Sequence, residues 1–237
     1  MTDIAVDPVV LDADLAESWD AVIDWLRSLD DEVFDAETPL PGWRVRDLVT
    51  HLGLSMRVLA NAEPADPADG TTQRHDLCSY LAAYSADADG IREAARTGED
   101  DTADPVTLAE ERGAAALATL ARLRREGVTR VLTRRGVIDL TTLVLTRLVE
   151  VVVHGDDLAR SAHVPTPVDP TARTTVAQAF LSMVNRRSGY DLEVGDERTW
   201  IRLAAGRIGW DQRGGALRSG NLAEGLPDLR EWLPVVG

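Results

Sequence analysis

The chain contains no lysine; all 25 of its basic residues are arginine. That excludes chemistry through a lysine Schiff base. There is one cysteine, Cys78, so no intrachain disulfide can form. A single thiol fits a reducing cytosol. His75 lies three residues before it, but a lone cysteine reads first as a small apolar packing group and only second as a nucleophile. Long apolar runs are missing too. The longest, Leu143 to Val153, is interrupted by Arg147 and Glu150 and is too short to span a bilayer. Met1 to Asp12 has neither a basic n-region nor an apolar stretch and does not read as a signal peptide. The expected location is the cytoplasm. Positive charge is scarce: 40 acidic side chains against 25 basic ones give a net charge of −15 and a pI near 4.6. Such a surface repels phosphate backbones and anionic lipid heads, which excludes nucleic-acid and membrane partners.

What is present is an ordinary globular composition, 44% hydrophobic over 237 residues. Helical periodicity dominates. Leu15, Trp19, Val22, Ile23 and Leu26 form one apolar face of a helix expected from about Asp12 to Leu29, with Asp12 and Asp14 placed to cap it. The run Thr38-Pro39-Leu40-Pro41-Gly42-Trp43 makes a stiff turn. A helix from about Val45 to Ala62 follows, with His51 on the flank of its buried stripe. Residues 63–72 read as a polar loop, 74–96 as a third helix and 98–104 as an acidic loop. Pro105 suits the first turn of a helix to Arg125, with Leu108, Ala115, Leu117, Leu120 and Leu123 as its stripe. Residues 128–135 are ambiguous between strand and connector. The helix from about Leu140 to Ser161 is apolar almost all round and should be central. Val164 to Pro170 holds three prolines and reads as a linker. This divides the chain into a helical domain, 1–163, and a smaller C-terminal segment, 164–237, with a short helical pattern from Thr171 to Asn185, another at Trp200 to Arg207, and turns beyond.

A central helix should carry few charges, yet Arg147, Glu150, His154 and Asp157 all lie in this one. Arg147, Glu150 and His154 share an arc of about 60 degrees. Glu150 and His154 are four residues apart, so their heads converge. An unpaired buried carboxylate is costly and needs compensation. Two readings are open: a hydrogen-bonded or ion-paired Glu–His couple, or a metal ion. For the second, His51 is the natural third ligand. Two histidines and one carboxylate suit zinc first, then ferrous iron or nickel. His75 and His163 look like loop or helix-end residues rather than ligands. Trp43 reads as a core plug beside the Pro-Gly turn before it reads as a substrate contact.

The segment from Thr38 to Leu52 resembles the signature TPxPGWxVxDLxxHL, and Thr146 to Leu158 resembles TRxxExxxHxxDL. Together, over about residues 10 to 162, the chain resembles the mycothiol-dependent maleylpyruvate isomerase family of the DinB-like metalloenzyme superfamily. The resemblance implies a mainly α fold, a DinB-like four-helix bundle followed by a small α+β C-terminal segment. It implies a divalent metal, usually zinc, on the residues matching the motif positions: His51, Glu150 and His154. Trp200 to Arg207, with Leu217 to Gly220, resembles part of a sterol-carrier-protein-like domain, and the interval from Pro170 to Trp200 is short for the strands such a domain carries.

By the same resemblance the chain is a metal-dependent isomerase or thiol transferase. Its cofactor or co-substrate is a low-molecular-weight thiol, mycothiol. Its substrate is a small electrophile, carboxylate-bearing ones included. In the isomerase, the thiolate adds to a cis double bond, the resulting single bond rotates, and elimination gives the trans product. Arg147 would orient Glu150 or meet a substrate carboxylate, Asp157 would act on a ligand histidine, and Arg207 is a weaker candidate for substrate binding. A monomer or homodimer is expected. Two rivals stand beside this reading: a non-catalytic metal-binding or regulatory bundle, and a carrier of apolar ligands.

Overall fold

A computed structural model describes residues 6–66, 71–85, 88–97, 104–221 and 225–236. It divides into two compact units, Val6–Val168 and the stretch from Asp169 onward, the division lying inside the proline-rich connector.

The first unit is a four-helix bundle. Helix α1 (Pro8–Arg27) begins earlier than the charge pattern suggests, because Asp7 accepts the Val9 N–H and Pro8 occupies the first turn. Asp12 is therefore no cap. It lies inside the helix and takes a two-pronged hydrogen bond from Arg124 at 2.8 and 2.9 Å. Asp14 is inside the helix as well, and buried. The Pro-Gly turn is as stiff as its sequence implies. Gly42 sits at φ 77°, and the Trp43 N–H bonds back to the Leu40 carbonyl. Helix α2 (Val45–Ala60) starts immediately after it.

Residues 63–72 are not simply a loop. Strand β1 (Glu63–Pro64) lies there, followed by β2 (Arg74–His75). The helix expected over 74–96 is accordingly shorter and in two pieces, α3 (Leu77–Ser85) and α4 (Ala88–Thr97). Most of the expected acidic loop, 98–103, lies outside the described residues.

Helix α5 (Pro105–Arg125) is capped by Asp104. Its buried stripe is Val106, Ala109, Gly113, Ala116, Leu120 and Leu123, so Leu120 and Leu123 are buried as expected, and Leu108, Ala115 and Leu117 are not. Ala115 is exposed, and Leu108 and Leu117 are half-buried. The reason is close packing by small residues. A Cβ on Gly53 of α2 would lie 2.9 Å from Ala109 Cα, and one on Gly113 would lie 1.9 Å from Trp19 Nε1. Side chains of leucine size cannot occupy such contacts, so Leu108 and Leu117 sit to one side, while Leu120 and Leu123 stay in the stripe.

The ambiguous stretch forms β3 (Arg130–Thr133), paired antiparallel with β4 (Gly136–Asp139) through a tight Arg134-Arg135 turn. The sheet order is β1-β3-β4-β2, with β2 parallel to β4. Helix α6 (Leu140–Ala162) then runs through the unit, buried almost all round as expected. Within the bundle α2 packs on α5 and α6, and α1 packs on α5 and α6. Among the described residues no helix is long and apolar enough to cross a membrane.

The second unit is small and α+β. Helix α7 (Pro170–Ser188) is capped by Asp169 at one end and by Gly189, at φ 75°, at the other. Strand β5 (Leu192–Val194) pairs antiparallel with β6 (Leu217–Ser219). Between them lies α8 (Glu197–Ala204), capped by Asp196. Trp200 is fully buried and donates its indole N–H to the Ala177 carbonyl at 2.9 Å. The interval before Trp200 is short of strands because α7 fills most of it.

Candidate metal centre

His51 comes from the second turn of α2, and Glu150 and His154 from consecutive turns of α6. All three are buried. They converge on one oxygen. Glu150 Oε2 is 3.1 Å from His51 Nε2 and 3.2 Å from His154 Nε2. The two imidazole rings meet edge to face, with centroids 5.0 Å apart. One ligand atom from each residue lies within 4.8 Å of the others. Two ligands each about 2.1 Å from a shared ion at a tetrahedral angle stand about 3.4 Å apart. The trio therefore fits a divalent cation of that size with little movement, and two histidines with one carboxylate are a donor set open to zinc, ferrous iron or nickel.

Electrostatics explain how the three side chains offset one another's burial. Burial would raise the Glu150 carboxyl, but hydrogen bonds from His154 and His51, with their charge, hold it well below the usual range. Burial also pulls both imidazoles down. At His51 it prevails over Glu150 and the ring's pKa is lowered. At His154 it is outweighed by Asp157 and Glu150, and the pKa is raised. The cause is visible in the contacts. His154 Nδ1 lies 3.1 Å from Asp157 Oδ2 while Nε2 faces Glu150. Asp157 is fully buried. A cation taken by Nε2 would leave the Nδ1 hydrogen bond intact.

The other expected site residues sit as follows. Arg147 is fully buried and its guanidinium turns to α2, where Nη1 donates to the Ser55 carbonyl at 2.6 Å. Trp43 is buried, and its ring meets His51 edge-on at a centroid distance of 5.6 Å. Arg207 belongs to the second unit and donates to the Ala205 carbonyl at 2.6 Å. His75 donates through Nε2 to the Arg135 carbonyl at 2.8 Å. His163 is the left-handed cap of α6, with φ 56°.

A cavity of about 440 Å³ opens beside His51, and its walls include Arg57, Arg134, Arg135, Arg147 and Tyr80. Sequence reasoning missed Arg57, Arg134 and Arg135. The hairpin turn that carries two of them was hidden in a stretch read as ambiguous. The signal was there, a two-residue polar turn before Gly136 flanked by β-branched residues. Gly136 adopts φ 127°, and a Cβ there would lie 2.4 Å from the Gln73 carbonyl oxygen.

A family model described as the mycothiol maleylpyruvate isomerase N-terminal domain matches residues 15–159. Two solved structures resemble the whole chain, a mycothiol-dependent maleylpyruvate isomerase and a histidine-to-alanine mutant of such an enzyme. Each is 15% identical, over 96% of this chain and 98% of that one, with TM-scores of 0.59 and 0.60. At that identity the likeness speaks to fold. No curated protein matches the sequence.

Proposed function

The chain belongs to the mycothiol maleylpyruvate isomerase N-terminal domain family, and on that premise we propose that it is a metal-dependent enzyme using a low-molecular-weight thiol, mycothiol. It isomerises a small electrophile or transfers the thiol to it. The observation that carries the reading is the carboxylate oxygen of Glu150 shared by two imidazole Nε2 atoms in a buried core. A structural ion pair needs one partner. Two histidines from separate helices turned on one oxygen are what a cation requires.

In this reading residues 1–163 hold the ion, and His51, Glu150 and His154 are its ligands. A bound zinc ion would lower a thiol's pKa and so supply the thiolate at neutral pH. The chain's own residues do the rest. Asp157 accepts the Nδ1–H of His154, which fixes the tautomer that leaves Nε2 free. Trp43 packs against His51 in a T-shaped contact and limits rotation of the ring. The arginines of the neighbouring cavity give an acidic protein a local positive field, which favours a substrate carrying carboxylates. Arg207, in the second unit, is the weaker candidate for a substrate carboxylate.

The test is calorimetry with mycothiol, on protein of measured metal content, with and without a chelator. Chelator-sensitive binding of the thiol supports the reading, and conversion of maleylpyruvate would then assign the isomerase. Stoichiometric metal with no affinity for the thiol would defeat it and leave a non-catalytic metal-binding bundle.

A further inference from the structure

The geometry points to Arg147 as a positioning residue of the metal centre: we propose that its guanidinium sets the register of α2 on α6, and with it the reach of His51 to Glu150. The proposal rests on the reading of these residues as metal ligands.

Arg147 has no exposed surface. A buried guanidinium needs its donors satisfied in a fixed geometry. Nε and Nη2 both donate to Thr146 Oγ1, at 3.3 and 3.2 Å. Thr146 is itself tied down, donating to the Leu143 carbonyl at 2.6 Å. The fork is thus held from its own helix, and Nη1 is left to cross to α2, where it meets the Ser55 carbonyl oxygen at 2.6 Å.

The position of that crossing is what matters. Ser55 lies one turn after His51 on α2, and Arg147 lies one turn before Glu150 on α6. The two helices are antiparallel there, so Arg147–Ser55 and Glu150–His51 are successive rungs, roughly 5 Å apart along the helices. Burial of apolar side chains is non-directional and leaves the register of two helices weakly specified. A guanidinium bond to a main-chain carbonyl is directional. It reads the backbone of α2 itself, whatever side chains that helix carries. A slip of one residue would carry His51 about 1.5 Å along the axis and about 100 degrees around it, out of reach of Glu150 Oε2.

Arg147 also lines the cavity, so a direct contact with substrate is the rival role. The experiment compares metal-free wild type with Arg147→Met, Arg147→Lys and Thr146→Val. Zinc affinity is measured by chelator competition, ligand geometry by the visible spectrum of the cobalt(II) form, and folding by circular dichroism. Arg147→Met is expected to weaken zinc about 10- to 100-fold and to reduce the cobalt bands, with helix content retained. Arg147→Lys, with one donor able to reach Ser55 but no fork for Thr146, recovers part of the loss. Thr146→Val loosens the fork without removing charge and shifts affinity the same way by less. Unchanged zinc affinity and cobalt spectrum in Arg147→Met, with the defect confined to KM for substrate, would overturn the proposal in favour of a substrate contact. Should Arg147→Met not fold, wild-type affinity in both Arg147→Lys and Thr146→Val overturns it equally. A wild type that binds neither ion defeats the metal reading itself and this proposal with it, a result distinct from a wild type that binds and variants that match it.

Discussion

Helices α6 and α7 follow one another in the chain and each is the longest helix of its unit, yet they are built on opposite plans. Helix α7 uses the local devices available to a helix: Asp169 caps its first turn, Pro170 opens it, and Gly189 closes it in the left-handed conformation. What it buries is Ala172, Val176, Ala177, Ala179, Phe180, Leu181, Met183 and Val184, with no ionisable group. Helix α6 makes no side-chain cap at Asp139 and ends on His163, a residue that adopts φ 56° at a cost glycine would avoid. It buries Arg147, Glu150, His154 and Asp157. Each such charge costs several kcal/mol unless it is matched. A helix meant only to hold a core would look like α7. The plan of α6 is that of a helix whose interior is given over to a cluster of ionisable side chains, and its stability is supplied by the surrounding bundle.

The sharpest way to break this contrast is to remove the chemistry. His154→Ala should weaken zinc by at least about 100-fold, since outer partners alone are worth 10- to 100-fold. Metal content after dialysis reads it directly. Full occupancy in the variant would mean that the ligand set is wrong. Glu150→Gln, which removes the anionic ligand, should weaken binding in the same direction. The matching experiment on the other unit is Trp200→Ala. This removes the largest fully buried side chain there, with a predicted loss of about 3–5 kcal/mol in the stability of that unit. Urea denaturation followed by tryptophan fluorescence measures it. A loss under about 1 kcal/mol would show that the second unit is not held by the core described.

Smaller again is the effect of overpacking. Gly113→Ala places a methyl group where Trp19 Nε1 already is, 1.9 Å away, and should cost about 1–3 kcal/mol. Gly214→Ala in the second unit meets nothing within 4 Å and should change stability by less than about 0.5 kcal/mol. Equal effects at the two positions in thermal melts would contradict the close approach of α1 and α5.

How much of this was legible in the sequence depends on what each feature is made of. The bundle helices, the proline turn and the convergence of His51, Glu150 and His154 were readable because each leaves a local trace. These traces are periodic apolar residues, Pro and Gly at fixed places, and charges in a run of valines. The sheet was not readable. Strands β1 and β2 are two residues each, too short for alternation to appear, and they exist only because β3 and β4 supply edges to pair with. The first half of the α5 stripe was misread because hydrophobicity points to leucines, whereas contact with Trp19 and α2 selects Gly113 and Ala109; Leu120 and Leu123, further along, were read correctly. The cap of α1 was misread because several aspartates compete for one role, and only Asp7 precedes a proline. The partner of Arg147 could not be read at all. A bond to the Ser55 main chain has no side-chain signature.

The smallest and most informative test is pH. In the metal-free protein the raised pKa of His154 means that its ring is mostly the doubly protonated imidazolium at pH 6.5, and the lowered pKa of His51 means that its ring is mostly the neutral imidazole with a single N–H. Zinc must displace one proton from His154. Affinity should therefore fall as pH drops through the His154 pKa, by at most tenfold per unit, about 1.4 kcal/mol. The slope should steepen towards two protons only below the His51 pKa, while Glu150, held well below its usual range, stays ionised throughout. Folding stability without metal has the opposite sign for the two rings. The raised pKa of His154 contributes stability that is present below 6.5 and lost as pH rises through its folded value. The lowered pKa of His51 costs stability below 6.5, a cost that vanishes as pH rises. The two act on opposite sides of pH 6.5, so metal-free stability should pass through a shallow maximum near there and fall on either side, while zinc affinity falls steadily as pH drops. A plot of log affinity that stays level from pH 8 down past 6.5 would mean that His154 Nε2 carries no proton to displace. Its two carboxylate neighbours would then not be the ones that set its charge.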